Sequence, residues 1–271
     1  MSQSLINKAN NLRDSGQPQA SRKILAPLTK AKDFRVAVNA YDSLGIGYLN
    51  ENEFGKANEC YKTSLKIAEE NKWYERLSGI TRNIAICYKN AKKYSQAEKW
   101  FLQAIEYVKK YSDEGFPTLP DARIGTGRSG QAGKNASLGI TYSKLGLLYC
   151  DMKLYRKSAL VFAKAMPLLN KSKHDYWKLI GNIDRCHLLY HTKKYKEAQK
   201  WLEYAITDAL AQDKEYKLIE ALLLAGDVEL KLKNKLKAQQ CFLWVKEVLK
   251  ISDSPKLTKK FEVALKEKLR L

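Results

Sequence analysis

The sequence predicts an all-α protein, a solenoid of about six antiparallel helix pairs closed by a C-terminal capping helix. Two observations carry this prediction. The 271-residue chain contains only 6 prolines and 14 glycines, and the glycines concentrate in one stretch, so the remainder is poor in helix-breaking residues. The second observation is a motif of small and large apolar residues that returns at intervals of 40 residues.

The repeat is visible in four stretches, each of which has two apolar segments separated by a short polar turn. They are residues 41–65, 81–105, 142–166 and 182–206. In the second segment of each copy, a small residue is followed four positions later by a large apolar one. These small residues are Ala57, Ala97, Ser158 and Ala198, with Ala238 in a fifth copy. Their spacings are 40, 61, 40 and 40 residues, so one interval carries an insertion of 21 residues.

Each copy has the pattern of two amphipathic helices. Leu44, Gly45 and Tyr48 fall at positions i, i+1 and i+4 and therefore share one helix face. Ala57 and Tyr61 repeat the spacing in the second helix, and the small residue lets the partner helix approach closely. Neither helix can bury its apolar stripe alone, so neighbouring pairs must stack.

The two ends of the chain fit the same architecture. Leu5 and Leu12 lie in a degenerate first repeat. Residues 255–271 combine an apolar stripe with many lysines, the pattern of the capping helix that a solenoid end requires. We therefore predict a single superhelical domain over residues 1–271. A loop insertion at residues 112–136 interrupts it between the third and fourth pairs.

The repeat resembles the tetratricopeptide repeat. Two copies carry the likeness most closely and a third has alanine in place of glycine: Leu44-Gly45-x-x-Tyr48, Phe54 and Ala57-x-x-x-Tyr61; Leu145-Gly146-x-x-Tyr149, Tyr155 and Ser158-x-x-x-Phe162; Ile84-Ala85-x-x-Tyr88, Tyr94 and Ala97-x-x-x-Phe101. Later copies depart from the pattern, with Cys186 and Leu189, then Gly226 and Glu229, at the glycine and tyrosine positions. The 40-residue period is similar to that of the subset found in kinesin light chains, polarity adaptors and peptide-pheromone receptors.

The resemblance implies a right-handed superhelix that acts as a non-enzymatic protein-interaction scaffold or adaptor. The first helices of the pairs would line a concave groove that takes a peptide or a partner segment. In the long-period subset an asparagine holds the ligand backbone, and Asn83 is the matching residue here. From helical geometry, the candidates that face the groove are Asp42, Ile46, Arg82, Asn83, Ile86, Lys89, Ser143, Leu147, His187 and His191.

The glycine-rich stretch at residues 115–134 contains Gly-x-Gly-x-x-Gly and ends in Gly-Lys, as phosphate-binding loops do. A dinucleotide fingerprint requires a preceding strand, and here a helical pattern precedes it. A P-loop requires glycine at position 128 and serine or threonine at 135, where the chain has Arg128 and Asn135. We interpret the stretch as a loop that is either inert or a flap with Phe116, Arg123 and Arg128 as partner contacts.

No residue pattern predicts catalysis, a cofactor or a metal. His187 and His191 share a helix face beside Cys186, but a metal site needs further ligands that no nearby residue supplies. No serine elbow or carboxylate pair stands out from an ordinary solvated surface. We therefore expect a protein that is not an enzyme.

The net charge of +20 favours an acidic partner. The main interpretation is a protein or peptide partner, and two alternatives remain. One is an RNA- or DNA-associated scaffold that uses the basic C-terminal region and aromatic side chains, although Trp201 and Trp244 fit core positions. The other is a component of a cytoskeletal or ciliary assembly with a tubulin-like polyanionic surface. The five scattered cysteines and the lack of a signal sequence or membrane span predict a cytoplasmic protein, of open oligomeric state.

Overall fold

The computed structural model describes residues 2–111, 131–172, 174–252 and 255–269, and these residues form thirteen α-helices and no β-strand. The helices are α1 (Ser2–Asp14), α2 (Pro18–Leu28), α3 (Phe34–Asn50), α4 (Phe54–Glu70), α5 (Tyr74–Asn90), α6 (Tyr94–Tyr111), α7 (Gln131–Asp151), α8 (Tyr155–Lys171), α9 (Asp175–His191), α10 (Tyr195–Ala211), α11 (Glu215–Lys231), α12 (Lys235–Ile251) and α13 (Pro255–Lys268). The prediction of an all-α fold is confirmed. None of the described helices combines the length and apolar character needed to cross a membrane.

The helices pack as successive pairs, α1 with α2 through α11 with α12, and each pair stacks on the next. Most first helices of neighbouring pairs also pack on one another: α1 on α3, α5 on α7, α7 on α9 and α9 on α11. No comparable packing joins successive second helices in the described residues. Because one side of the stack is more closely packed than the other, the first helices lie on the inside of the curve.

The turns inside the second to sixth pairs have the same backbone geometry. One residue in each turn adopts a left-handed conformation, with φ between 58° and 65°, although none of them is glycine: Asn52, Lys92, Lys153, Lys193 and Lys233. The backbone N–H of the next residue reaches back to a carbonyl of the preceding helix, for example from Leu154 to Tyr149 at 2.8 Å. These turns recur at the spacings of the sequence motif, so the repeat in sequence is a repeat in structure.

The apolar core runs between the two layers of helices. From the second pair to the sixth, each second helix contributes one large side chain, and these residues are buried: Tyr61, Phe101, Phe162, Leu202 and Phe242. Each follows the small residue of its partner helix by 16 positions, so a small side chain on one helix admits a large one from the other. The same two positions therefore face each other in each of these pairs along the solenoid.

The boundary of the predicted loop needs correction. Helix α7 begins at Gln131, so residues 131–136 are helical, whereas the loop was expected to extend over 112–136. Helix α7 has 21 residues, against 17 in α5 and α9. Side-chain bonds explain part of the extension, because Gln131 donates to Asn135 at 2.8 Å one turn later.

At the C-terminal end, α13 begins at Pro255 and packs on the last helix pair. Its residues Phe261 and Leu265 are buried in the same cluster as residues of α11 and α12. The expected core position of Trp244 is wrong, because its side chain is 43% exposed on the outer side of α12. Trp201 does pack against the core, although it is only partly buried.

Candidate partner-binding face

The inner face of the solenoid is formed by side chains of α3, α5, α7, α9 and α11. One repeat position on each helix points a partly exposed side chain along this face: Ile46, Ile86, Leu147, His187 and Asp227. Four of these five were predicted as groove residues. They occupy the same repeat position on the five inner helices and so define one column, which changes from apolar to polar along the chain.

Asp42, a predicted groove residue, is buried and serves the packing of the helices. Its carboxylate accepts a hydrogen bond from the Ser64 hydroxyl of α4 at 2.7 Å and forms an ion pair with Arg76 of α5. The side chain therefore joins three helices and is only 6% exposed. Its expected role as a partner contact is corrected to one of support.

Ser143 is likewise corrected, because it is fully buried between α7 and α9. Its hydroxyl donates to Asp184 at 2.8 Å, and the ammonium of Lys144 lies 2.8 Å from the same carboxylate. Burial lowers the pKa of Lys144. Burial alone would raise the pKa of Asp184, but the attraction of the Lys144 ammonium leaves that pKa below its ordinary value. The contact between the two side chains links α7 to α9.

The two predicted histidines have different surroundings. His187 is half-buried on the inner face, and burial lowers its pKa, although the carboxylates of Asp184 and Glu220 oppose the shift. His191 is exposed, and its ring lies 5.9 Å from that of Tyr155. Across the described ranges, no group of three or more histidine, cysteine, aspartate or glutamate side chains is arranged to hold a metal ion.

Asn83 and Lys89 are two further predicted groove residues, and both lie on α5. The ammonium of Lys89 lies 3.0 Å from the carboxylate of Asp151 at the end of α7. Asn83 is partly exposed, and its side chain makes no hydrogen bond to any residue in the described part of the chain. The Asn83 amide thus has no hydrogen-bond partner among the described residues, whereas Lys89 is held by an ion pair.

Arg82 differs from the other basic residues of this face. Its guanidinium lies over the ring of Trp177, with Cζ 5.4 Å from the ring centroid, and Nη1 is 3.5 Å from the hydroxyl of Thr141. No carboxylate among the described residues pairs with it. Burial, reinforced by the nearby charge of Arg76, lowers the pKa of Arg82 to about 10.

Part of this arrangement has a signal in the sequence, in the charges of successive repeats. Lys144 and Asp184 stand 40 positions apart, at one repeat position on successive inner helices, and carry opposite charges. Opposite charges one period apart therefore predict a cross-helix pair. The contact of Arg82 with Trp177 joins different repeat positions and has no such signal. The loop candidates Phe116, Arg123 and Arg128 lie outside the described residues.

Comparison with known proteins gives similarity in structure alone. No protein-family model matches the sequence, and no curated protein does either. Several solved structures share the fold. BtubC (BKLC) from P. vanneervenii has a TM-score of 0.60 at 15% identity, over 87% of this chain and 89% of that one.

Two further structures are described as repeat proteins. One, a signal-transduction ATPase of Pyrococcus horikoshii with a tetratricopeptide repeat sensor, has a TM-score of 0.62 at 16% identity. The match covers 95% of this chain and 37% of that one. A variant of a putative kinesin light chain with TPR-like repeats from Podosopora anserina has a TM-score of 0.51 at 12% identity, over 78% and 93% of the two chains. The resemblance read from the sequence is confirmed at the level of fold: the chain is a tetratricopeptide-repeat-like solenoid.

Proposed function

We propose that the protein is a non-enzymatic interaction scaffold whose inner face binds an extended segment of a partner protein. The observation that carries this proposal is the column of partly exposed side chains, from Ile46 to His187, on successive inner helices. Ion pairs and hydrogen bonds hold these helices in place before any partner arrives. A preorganised surface loses little conformational entropy on binding, which favours affinity.

Charge sets the class of partner. The chain carries a net charge of +20, which attracts acidic surfaces and speeds their association. Several inner-face cations are neutralised by carboxylates of this chain, so the face itself has a mixed pattern. We therefore propose an acidic protein partner that is steered by the whole molecule and recognised at the inner face.

Affinity purification with matched variants tests this proposal. Leu147→Glu places a charge in the middle of the inner-face column, and Leu160→Glu places the same charge on the outer side of α8, where leucine is already 67% exposed. Quantitative mass spectrometry should find that proteins recovered with the wild type are lost with Leu147→Glu and retained with Leu160→Glu. Equal recovery with both variants would contradict the proposal.

Nuclease treatment provides a second arm. If recovery of the partners requires nucleic acid, they should disappear after digestion, and binding to arbitrary nucleic acid should fall steeply as salt rises. The scaffold proposal expects recovery that survives nuclease. A partner set that vanishes on digestion would instead make nucleic acid the ligand.

A further inference from the structure

We propose that Arg82 anchors an oxyanion subsite on the inner face, which takes a carboxylate side chain of the bound partner segment. The subsite is built from the Arg82 guanidinium on α5, the ring of Trp177 on α9 and the hydroxyl of Thr141 on α7. This inference rests on the proposed function, since it specifies one contact within the same face.

The first argument is the contrast with neighbouring cations. Four other basic side chains on or beside this face each have a carboxylate within the chain: Arg76 with Asp42, Lys89 with Asp151, Lys144 with Asp184, and Lys217 with Glu220. Arg82 has none among the described residues, although α5, α7 and α9 surround it. A desolvated cation without a counterion is costly, so its retention suggests that a ligand supplies the missing charge.

The second argument is the supply of free donors. The Arg82 guanidinium contacts the Trp177 ring through its charge, with Cζ 5.4 Å from the ring centroid. Only Nη1 has a hydrogen-bond neighbour, at the 3.5 Å distance to Thr141. The remaining N–H groups can form the paired hydrogen bonds that a carboxylate accepts. The contact with Trp177 thus holds the guanidinium between α5 and α9 with donors to spare.

The third argument is local charge. Arg76, on the same helix, adds to the positive potential at Arg82, and its own Nε is buried without a hydrogen-bond partner. The carboxylate of Asp42 compensates Arg76 from the side of α3 and α4. The two arginines and the one carboxylate therefore leave a net positive charge at Arg82, which is partly exposed next to the partly exposed Asn83.

The test uses the full-length protein and a fluorescein-labelled nonapeptide of alternating alanine and glutamate, with a glutamine counterpart as the neutral control. Binding is measured by fluorescence anisotropy at about 50 mM salt, where electrostatic contacts are weakly screened. Arg82→Met removes the charge and keeps a side chain that packs on Trp177. The matched control is Arg185→Met, because Arg185 also lies over a tryptophan, Trp201, but already pairs with Glu197.

We expect the glutamate peptide to bind and the glutamine peptide to bind far more weakly. Arg82→Met should weaken binding of the glutamate peptide about tenfold or more, the loss expected for a charge-assisted hydrogen bond. Arg185→Met should change it by less than about twofold. Equal weakening by both variants, or no binding of the glutamate peptide to the wild type, would overturn the inference.

A third variant separates this inference from the proposed function. Leu147→Trp obstructs the inner-face column without changing charge. If Leu147→Trp weakens peptide binding and Arg82→Met does not, the inner face is the binding face and the oxyanion subsite is wrong. If neither variant weakens binding, the peptide does not use the inner face, which counts against both. Displacement of the peptide by millimolar inorganic phosphate, dependent on Arg82, would identify a free-phosphate site instead.

Stability distinguishes a ligand-binding role from a structural one. Because Arg82 is desolvated without a counterion, Arg82→Met should leave Tm unchanged or raise it by about 2 °C. If Arg82 instead stabilised the fold, Arg82→Met would lower Tm. A fall in Tm together with unchanged peptide binding would assign Arg82 to the fold and end the proposal.

Discussion

Gly226 lies so close to the ring of Phe242 that a Cβ atom at this glycine would be 2.2 Å from Cε1 of the ring. The same contact occurs in earlier pairs, where a Cβ at Gly45 would be 2.7 Å from the Tyr61 ring. In the fifth pair the residues are Cys186 and Leu202, a larger residue opposite a smaller one. The two facing residues therefore fill a similar space in these pairs, although the larger of the two is not equally large in each pair.

This relationship predicts a strong coupling between the two positions. Gly226→Ala should destabilise the protein by about 2 kcal/mol, because the ring of Phe242 must shift out of a packed core. In a Phe242→Leu background the same substitution should cost less than about 0.5 kcal/mol, since the leucine leaves room for the methyl group. Urea unfolding of the four proteins in the cycle measures the difference.

The control for this cycle is Gly55→Ala in the first turn of α4. A Cβ there has no neighbour within 4 Å, so the substitution should stabilise the helix by about 0.5 kcal/mol through backbone entropy alone. If Gly226→Ala behaved like Gly55→Ala, the close approach of α11 and α12 would not be required for stability.

The left-handed turn residues predict a stabilising substitution. Lys153 has φ of 60° between α7 and α8, a conformation that costs a residue with a side chain about 1 kcal/mol. Lys153→Gly removes that cost and should raise the free energy of unfolding by up to about 1 kcal/mol. Lys157→Gly, inside α8, should lower it by about 1 kcal/mol. Thermal or urea unfolding compares them, and a destabilising Lys153→Gly would contradict the argument.

The ion pair of Lys144 and Asp184 predicts an asymmetric response to mutation. Asp184→Asn leaves the Lys144 ammonium buried without its counterion and should cost about 3 kcal/mol. The double variant Lys144→Met, Asp184→Leu removes both charges and should recover most of that loss. A double variant as unstable as Asp184→Asn would show that the hydrogen bond from Ser143, and not the charge pair, carries the stability.

His187 predicts a loss of stability in mild acid. Burial lowers the pKa of His187 in the folded protein, so the unfolded chain binds a proton more readily. The stability from the neutral imidazole is present above the ordinary pKa of about 6.5 and decreases as the pH falls below it. His187→Gln should therefore reduce the drop in Tm between pH 7.5 and 5.5.

His191→Gln is the matched control for this measurement, because His191 is exposed on the same helix. Its drop in Tm over the same pH range should stay closer to that of the wild type than the drop of His187→Gln does, because the charge of His191 contributes less to the lowered pKa of His187 than burial. A drop in the His187→Gln variant as large as that of the wild type would assign the acid sensitivity to other groups.

The parts of the fold that the sequence predicted are those set by local spacing. The Ala57 and Ala97 anchors, with their apolar neighbours four positions later, determined the helix pairs and their repeat. The opposite charges of Lys144 and Asp184 lie one 40-residue period apart, so their pairing also has a signal in the sequence. The loop boundary was less predictable, because residues 131–136 have a glycine and few apolar positions but still extend α7.

The burial of individual side chains needed the tertiary structure. Ser143 and Leu147 lie one helical turn apart on α7, yet the first is enclosed by α9 and the second is partly exposed. Helical geometry assigns both to one face and cannot give the position of the neighbouring helix.

The sequence by itself thus determined the class of fold, the number of helix pairs and the inner helices, because period and amphipathicity are properties of neighbours along the chain. Only the tertiary structure decided which inner-face charges are neutralised and which are not. Arg82 and Trp177 belong to different repeat positions, and their contact depends on the stacking of whole helices. The lack of a carboxylate beside Arg82 among the described residues follows from the packing of α5, α7 and α9 together. The spacing of residues along the sequence does not predict it.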